Sequence, residues 1–473
     1  MIVTKQKLVI AVILVCAGFG IGPGWVRASD ETSPVTAGAA KVDPAADAPA
    51  YWAWAPTPPM GWNSYDAFGS SVTEDEIMAN ARYMKDKLLP HGYRYVVVDY
   101  RWSDATAAQH DRNGNGGPLT MDAYGRLLPA PERFPSAAGG QGFKALADAV
   151  HALGLKFGIH VMRGIPRQAV KANTPIEGSQ CTAAEATDHS TCGWCADMYG
   201  INGNSAAGQA YYDSILRLYA SWGVDFIKVD DLSKPYHGAE IEAVRKAIDK
   251  CGRAIILSTS PGETPVTEAA HVSRHANMWR ASGDFWDNWR SLNHAFDLAA
   301  AWEGTGGPGR YPDLDMIPLG HIGIRSVGHD RQTGFTRDEQ VALMTLWALR
   351  PSPLMLGMNL PDNDDWTLSL ITNDEVLAID QDALGKPAQR VSQKNGGEVW
   401  VRELRDGSKA VGLFNRGNAE TKVTLNWSEA GLEGAEKVSD LWQHKDLGKH
   451  DREMTVPIPS HGAVLLRLAK LPN

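Results

Sequence analysis

The stretch Trp222-Gly-Val-Asp-Phe-Ile-Lys-Val-Asp230 decides the fold. Its apolar run lacks period-two alternation, as expected of a strand buried on both faces of a parallel sheet, and an aspartate stands where the strand gives way to a loop. The same grammar recurs in Tyr95-Val-Val-Val-Asp99, Leu155-Lys-Phe-Gly-Ile-His160, Ala254-Ile-Ile-Leu-Ser258 and Pro353-Leu-Met-Leu-Gly357. Met60-Gly-Trp-Asn63, Asn277-Met-Trp-Arg280 and Leu314-Asp-Met-Ile317 bring the strand candidates to eight. Helical patterns alternate with them. Thr73-Glu-Asp-Glu76 is a capping box that opens a helix running to about Leu89, where Pro90 stops it. Eight such units predict a (β/α)8 barrel, α/β in class, with its chemistry at the C-terminal ends of the strands.

Working outward, the barrel spans residues 57–382. Beyond it, Glu398-Val-Trp-Val-Arg-Glu403, Lys409-Ala-Val-Gly-Leu-Phe414, Thr421-Lys-Val-Thr-Leu-Asn426 and Ala463-Val-Leu-Leu-Arg-Leu468 are short strands separated by Gly, Asn and Asp turns. They predict an antiparallel β-sandwich over residues 383–473. Ahead of the barrel, Lys5 and Lys7 precede an apolar run from Leu8 to Ile21, and Val26-Arg-Ala28 offers a small-residue cleavage site. Residues 1–28 therefore have the form of a signal peptide that directs export to the periplasm or the medium, and residues 29–56, rich in Ala, Pro, Asp and Thr, that of a flexible leader. After cleavage no stretch is apolar enough to span a membrane. An oxidising destination makes a disulfide expected on the loop holding Cys181, Cys192 and Cys195; the pairing, with Cys251 also present, stays open.

The chain has 473 residues, 43% of them hydrophobic, enough for one large barrel and a smaller module. A formal charge of −9 without any Lys/Arg block excludes the electrostatic footprint of a nucleic-acid partner. Sixteen tryptophans offer flat faces to sugar rings, although core packing accounts for most tryptophans in any protein.

Asp230 and Asp284, the latter in Met278-Trp-Arg-Ala-Ser-Gly-Asp284-Phe-Trp, both stand at strand ends. Taken singly, a strand-end aspartate most often caps a helix or solvates a loop. As a pair converging on one pocket, they supply the two carboxyl groups that cleavage of a glycosidic bond requires: a nucleophile and a proton donor. Lys228, two residues before Asp230 on the same strand face, favours an ionised nucleophile, and Phe285 and Trp286 favour a neutral acid at Asp284.

In order along the chain, Pro58-Pro-Met-Gly-Trp-Asn-Ser-Tyr65, Tyr95–Asp99, Lys156–His160, Trp222–Asp230, Trp279-Arg280 with Asp284, Asp313-Leu-Asp-Met316 and Ala378-Ile-Asp-Gln-Asp-Ala-Leu-Gly385 resemble glycoside hydrolase family 27, the family of α-galactosidases and α-N-acetylgalactosaminidases. The resemblance covers residues 57–473. It implies a barrel followed by a β-sandwich, and a retaining, exo-acting mechanism that uses no metal and no cofactor. By motif it makes Asp230 the nucleophile and Asp284 the acid/base. It also places Tyr65, Asp99, Tyr100, His160, Lys228, Ser260, Arg280 and Asp315 around the sugar.

Departures from the family pattern bear on the substrate. Tyr100 stands where galactosidases usually have a second aspartate, and Tyr65 where they have a tryptophan beside carbon six. Ser260 replaces a glutamate near carbon two, His160 and Arg163 replace a tyrosine and an aspartate, and Leu232 replaces a half-cystine. Arg101 and Arg163 either face the pocket, welcoming an acidic substrate, or are absorbed in salt bridges. The resemblance implies an exported retaining exo-glycosidase that removes terminal α-D-galactose from an oligosaccharide or polysaccharide. The alternatives are the same mechanism on β-L-arabinopyranose, α-N-acetylgalactosamine or an α-glucoside, and a non-catalytic carbohydrate-binding relative.

Overall fold

A computed structural model describes residues 48–107 and 118–471. The expected signal peptide and all but the last residues of the expected leader lie outside the described residues. Eight strands form the barrel: β1 (Met60–Asn63), β2 (Tyr95–Val98), β3 (Lys156–Met162), β4 (Phe226–Asp230), β5 (Ile256–Thr259), β6 (Met278–Arg280), β7 (Tyr311–Asp313) and β8 (Leu354–Leu356). Each of β1 to β6 pairs in parallel with the next, and β8 pairs in parallel with β1. The ring closes through Ile317. Its N–H donates to Met355 O at 2.8 Å, and its O accepts from Gly357 N at 3.1 Å, a parallel bridge to Leu356.

The seventh strand corrects the sequence reading. It is Tyr311–Asp313 rather than Leu314–Ile317, because Asp315 has φ 91°, a left-handed conformation that no strand continues through. The chain swings out at that residue and returns to the sheet at Ile317. The capping box forms as read, with Thr73 N–H donating to Glu76 at 2.9 Å, and opens helix α1 (Glu74–Tyr83), which continues as a wider turn over Met84–Leu88 before Pro90. Helices α2 (Lys144–Ala152), α3 (Ala206–Trp222), α4 (Gly238–Lys250), α5 (Ala269–His275), α6 (Trp289–Ala301) and α7 (Arg337–Leu349) follow the successive strands β3 to β7, with α2 between β2 and β3.

Alternation along the strands positions the site. One set of residues, among them Val96, Val98, Ile159, Ile227, Val229 and Leu257, joins the core under the helices. The other set points into the barrel and changes character from bottom to top. Tyr95, Val97, Phe226, Ile256, Met278, Tyr311 and Met355 form an apolar plug, and Asp99, His160, Lys228, Asp230 and Arg280 follow two or four residues further along the same faces. Gly61 makes the plug possible: a Cβ there would stand 2.3 Å from Tyr95 O. The barrel floor is sealed from below by residues expected to be a flexible leader. Ala50–Trp54 form a 3-10 turn, Tyr51 and Ala55 are buried, and Arg245 stacks over the rings of Tyr51 and Trp54. Three aromatic rings in five residues give this stretch enough apolar surface to dock.

The C-terminal module has strands β9 (Gln389–Lys394), β10 (Gly397–Glu403), β11 (Lys409–Asn415), β12 (Thr421–Asn426), β13 (Glu436–Asp440), β14 (Lys445–His450), β15 (Glu453–Ile458) and β16 (Ala463–Lys470). A six-stranded antiparallel sheet in the order β9-β10-β11-β16-β13-β14 packs on the β12-β15 pair, as a sandwich requires. Its other face, with Trp400, Ala410, Phe414 and Leu465, joins the barrel's own core.

Candidate active site

At the C-terminal mouth of the barrel a cavity of about 330 Å³ is lined by Tyr65, Asp99, Tyr100, Lys228, Asp230, Ser260, Arg280, Asp284 and Asp315. The fold thus gathers nine of the ten residues singled out from sequence, drawn from loops or strand ends at six of the eight strands.

Asp230 ends β4 with both carboxylate oxygens engaged. Oδ1 accepts from Asp231 N–H at 2.9 Å, and Oδ2 accepts from His160 Nε2–H at 2.8 Å, the one direction open to an ionised carboxylate. His160 is the tenth residue. The sequence reading gave it a sugar contact, but the structure sets it behind the lining: its ring is 2% exposed, in edge contact with Tyr100, and it holds Asp230 in place.

Lys228 is close enough for its charge to act on Asp230, as expected, but its hydrogen bond goes elsewhere. Its Nζ donates at 3.1 Å to Asp99, not to Asp230. Asp99 Oδ2 additionally accepts from Asn63 Nδ2 at 2.7 Å, and Oδ1 from Tyr100 N–H at 2.9 Å. Burial alone would push the Asp99 carboxyl up; Lys228, His160 and these hydrogen bonds hold it well below the usual carboxylate range. Burial likewise disfavours the Lys228 ammonium, and Asp99, Asp230 and Asp315 more than offset it, so Lys228 is a firmly charged cation.

Across the cavity, Arg280 Nη2 lies 2.7 Å from Asp315 Oδ2 and 3.4 Å from Asp284 Oδ1, and donates to Gly283 O. Asp315 also accepts from Phe285 N–H at 2.8 Å, tying the Asp284 loop to the left-handed bend after β7. The Asp284 side chain is 53% exposed, while the neighbouring Phe285 stacks on Phe335 and packs at a tilt against Trp347. Of the apolar pair read from sequence, Phe285 joins the core while still edging the cavity, and Trp286 lines it.

Tyr100 presents a ring rather than a carboxylate, 5% exposed and in edge contact with Trp194 at 5.8 Å. Ser260 Oγ is buried and has no hydrogen-bond partner among the described residues. The arginines resolve as ion pairs: Arg163 with Asp231 and Glu240, each at 2.8 Å, and Arg101 with Asp104 at 2.6 Å. Neither lines the cavity. The expected disulfide is absent: Cys181, Cys192, Cys195 and Cys251 are all thiols. Cys195 faces Asp197 and Tyr100 while Cys192 faces Asp231, so the two cysteines of the Cys-Gly-Trp-Cys turn serve different neighbours.

Sequence reasoning missed Asp66, Trp194, Lys234 and Met316, which also line the cavity. Asp66 is 1% exposed, its Oδ2 has no partner among the described residues, and burial, reinforced by Asp315, pushes its carboxyl well above the usual range. Its adjacency to Tyr65 was the available signal. Trp194 lies on the long connection after β3 and had no local signal at all.

Residues 190–382 match the family described as Alpha galactosidase A, and residues 394–468 match the Alpha galactosidase C-terminal beta sandwich domain. Among curated proteins, an α-galactosidase from Cyamopsis tetragonoloba is 31% identical, covering 86% of this chain and 84% of its own. Among solved structures, a GH27 β-L-arabinopyranosidase from Geobacillus stearothermophilus is 48% identical with a TM-score of 0.88, covering 90% of this chain and 99% of that one. A protein described as a putative α-N-acetylgalactosaminidase from Bacillus halodurans C-125 is 44% identical with a TM-score of 0.79, covering 87% and 97%.

Proposed function

This chain belongs to glycoside hydrolase family 27, and from that premise we propose that it is a retaining exo-glycosidase for terminal sugars of the galacto configuration, with β-L-arabinopyranose preferred over α-D-galactose. The two glycones share configuration from carbon one to carbon four; the pentose lacks carbon six and its hydroxyl. Tyr100 carries this reading. Where the family's galactosidases offer a second carboxylate to a sugar hydroxyl, this pocket has a buried aromatic ring braced by Trp194 and His160. A buried acceptor that a hydroxyl would satisfy is missing, so the hydroxymethyl group gains nothing to offset its desolvation. The β-L-arabinopyranosidase at 48% identity supports the same choice, against about 30% for the α-galactosidases.

In the first displacement the Asp230 carboxylate attacks carbon one, the bond from carbon one to the leaving oxygen breaks, and Asp284 gives that oxygen its proton. In the second, Asp284 takes a proton from water as the water oxygen attacks carbon one and the ester to Asp230 breaks. Two inversions leave the configuration retained. His160 and the Asp231 N–H fix the nucleophile's rotamer. Asp99, Lys228, Arg280 and Asp315 are the charged groups that sugar hydroxyls meet. The signal-peptide pattern of residues 1–28 supports export, which is where glycans outside the cell are encountered.

The test is a panel of p-nitrophenyl glycosides: β-L-arabinopyranoside, α-D-galactopyranoside, α-N-acetylgalactosaminide and α-D-glucopyranoside. The expected result is a kcat/KM for the arabinopyranoside about 10- to 200-fold above that for the galactoside, the range that one small substituent commands. Equal or better hydrolysis of the galactoside overturns the glycone, and no hydrolysis of any member overturns the enzyme.

A further inference from the structure

We propose that Glu242, His271 and His275 bind a divalent transition-metal ion of the zinc class on the outer face of the barrel, between α4 and α5. Among the described residues no other group of three His, Cys, Asp or Glu converges in this way: their ligand atoms all lie within 4.8 Å of one another. His271 and His275 are one helical turn apart on α5, which puts both imidazoles on one face, and Glu242 comes from the second turn of α4.

The separation fits the ion. Tetrahedral coordination at about 2.0–2.1 Å places neighbouring ligand atoms about 3.4 Å apart, and His271 Nε2 stands 3.3 Å from Glu242 Oε1. The far nitrogens are already oriented. His275 Nδ1 donates to His271 O at 2.8 Å and His271 Nδ1 is hydrogen-bonded to the Tyr236 hydroxyl, leaving both Nε2 atoms for the metal. Such outer contacts fix ring orientation at metal sites. The His271–Glu242 hydrogen bond by itself accounts for two of the three groups. The third group, His275, is not part of that bond: its Nδ1 is taken by His271 O, and its Nε2 is available to an ion.

Lys246 pairs with the other Glu242 oxygen at 2.9 Å, so one carboxylate oxygen remains for the ion. The side chains of Glu242 and His271 are 39% and 28% exposed, which gives an ion access and leaves a fourth position for water. Two imidazoles and one carboxylate favour zinc, nickel or copper over calcium or magnesium, which take oxygen donors. None of the three residues lines the sugar cavity. The ion would clamp α5 to α4 and to Tyr236, two residues after the cavity residue Lys234.

The full-length protein, stripped with chelator, is titrated with zinc chloride by calorimetry and with cobalt chloride by visible absorption. The expected result is one equivalent bound, tetrahedral cobalt bands, and a zinc-dependent rise in melting temperature. His275→Gln, His271→Gln and Glu242→Gln should each weaken the affinity at least ten-fold while p-nitrophenyl glycoside hydrolysis, which reports folding, is unchanged. Absence of stoichiometric binding, or equal affinity in all three folded variants, overturns the site.

Discussion

The proposed mechanism gives Asp230 and Asp284 different roles, and the difference is readable in the stereochemistry of rescue. Asp230→Gly cannot form the glycosyl ester, so azide enters the vacated face and gives the inverted glycosyl azide. Asp284→Gly still forms the ester from substrates whose leaving group needs no proton, and azide then gives the retained product. On substrates that do need protonation, Asp284→Gly should lose about 10²- to 10⁴-fold in kcat. NMR of the two azides checks this; exchanged stereochemistry would exchange the roles. His160 acts one step removed, through its 2.8 Å hydrogen bond to Asp230 Oδ2. A hydrogen bond to a charged group is worth about 1.5–3 kcal/mol, so His160→Phe should lower kcat about 10- to 100-fold. KM should change little, because the ring does not line the cavity. A rise in KM at constant kcat would instead make His160 a sugar contact.

Strands deliver these residues, and their delivery depends on how β1 and β2 seat against each other. Gly61 lies in register with Tyr95, and a Cβ at that position would stand 2.3 Å from Tyr95 O. Overpacking there forces β1 away from β2 and carries Asn63 off Asp99. Gly61→Ala should therefore cost about 1–3 kcal/mol of stability, with a parallel fall in activity. Chemical denaturation and steady-state kinetics on the same sample check it, and a stable but fully active variant would show that the barrel can absorb the methyl group. Helix α1 was legible to its first turn because a capping box is a local device; β7 was not, because a non-glycine residue at φ 91° is imposed by tertiary contacts, among them Trp347 Nε1 donating to Asp315 O at 3.1 Å.

Barrel and sandwich share a core, and one buried acid sits at their junction. Burial pushes the Asp380 carboxyl up to about 8, against the pull of Gln381 and of Arg402, a buried residue of β10 that also donates to Ala348 O. The folded protein therefore keeps a proton here that the unfolded chain, with its ordinary value near 3.8, has released. Between roughly pH 4 and pH 8 this group's contribution to stability is present at the acid end and is lost as pH rises. Asp380→Asn should flatten the decline in melting temperature from pH 5 to pH 8.5 measured by calorimetry. An unchanged slope would remove Asp380 as its source.

The sequence by itself determined the barrel, the sandwich and nine of the residues at the cavity, because buried parallel strands and strand-end aspartates are local patterns. Tertiary structure alone decided what those residues touch. Lys228 and Asp99 lie 129 residues apart, and nothing local says that the lysine pairs there and not with Asp230. Trp194 reaches the pocket, Ala50–Trp54 seal the floor, and Glu242 meets His271 and His275 only because the barrel closes. Local chemistry sets which groups a segment carries; the distance between groups on different segments is fixed only when the whole ring of strands packs.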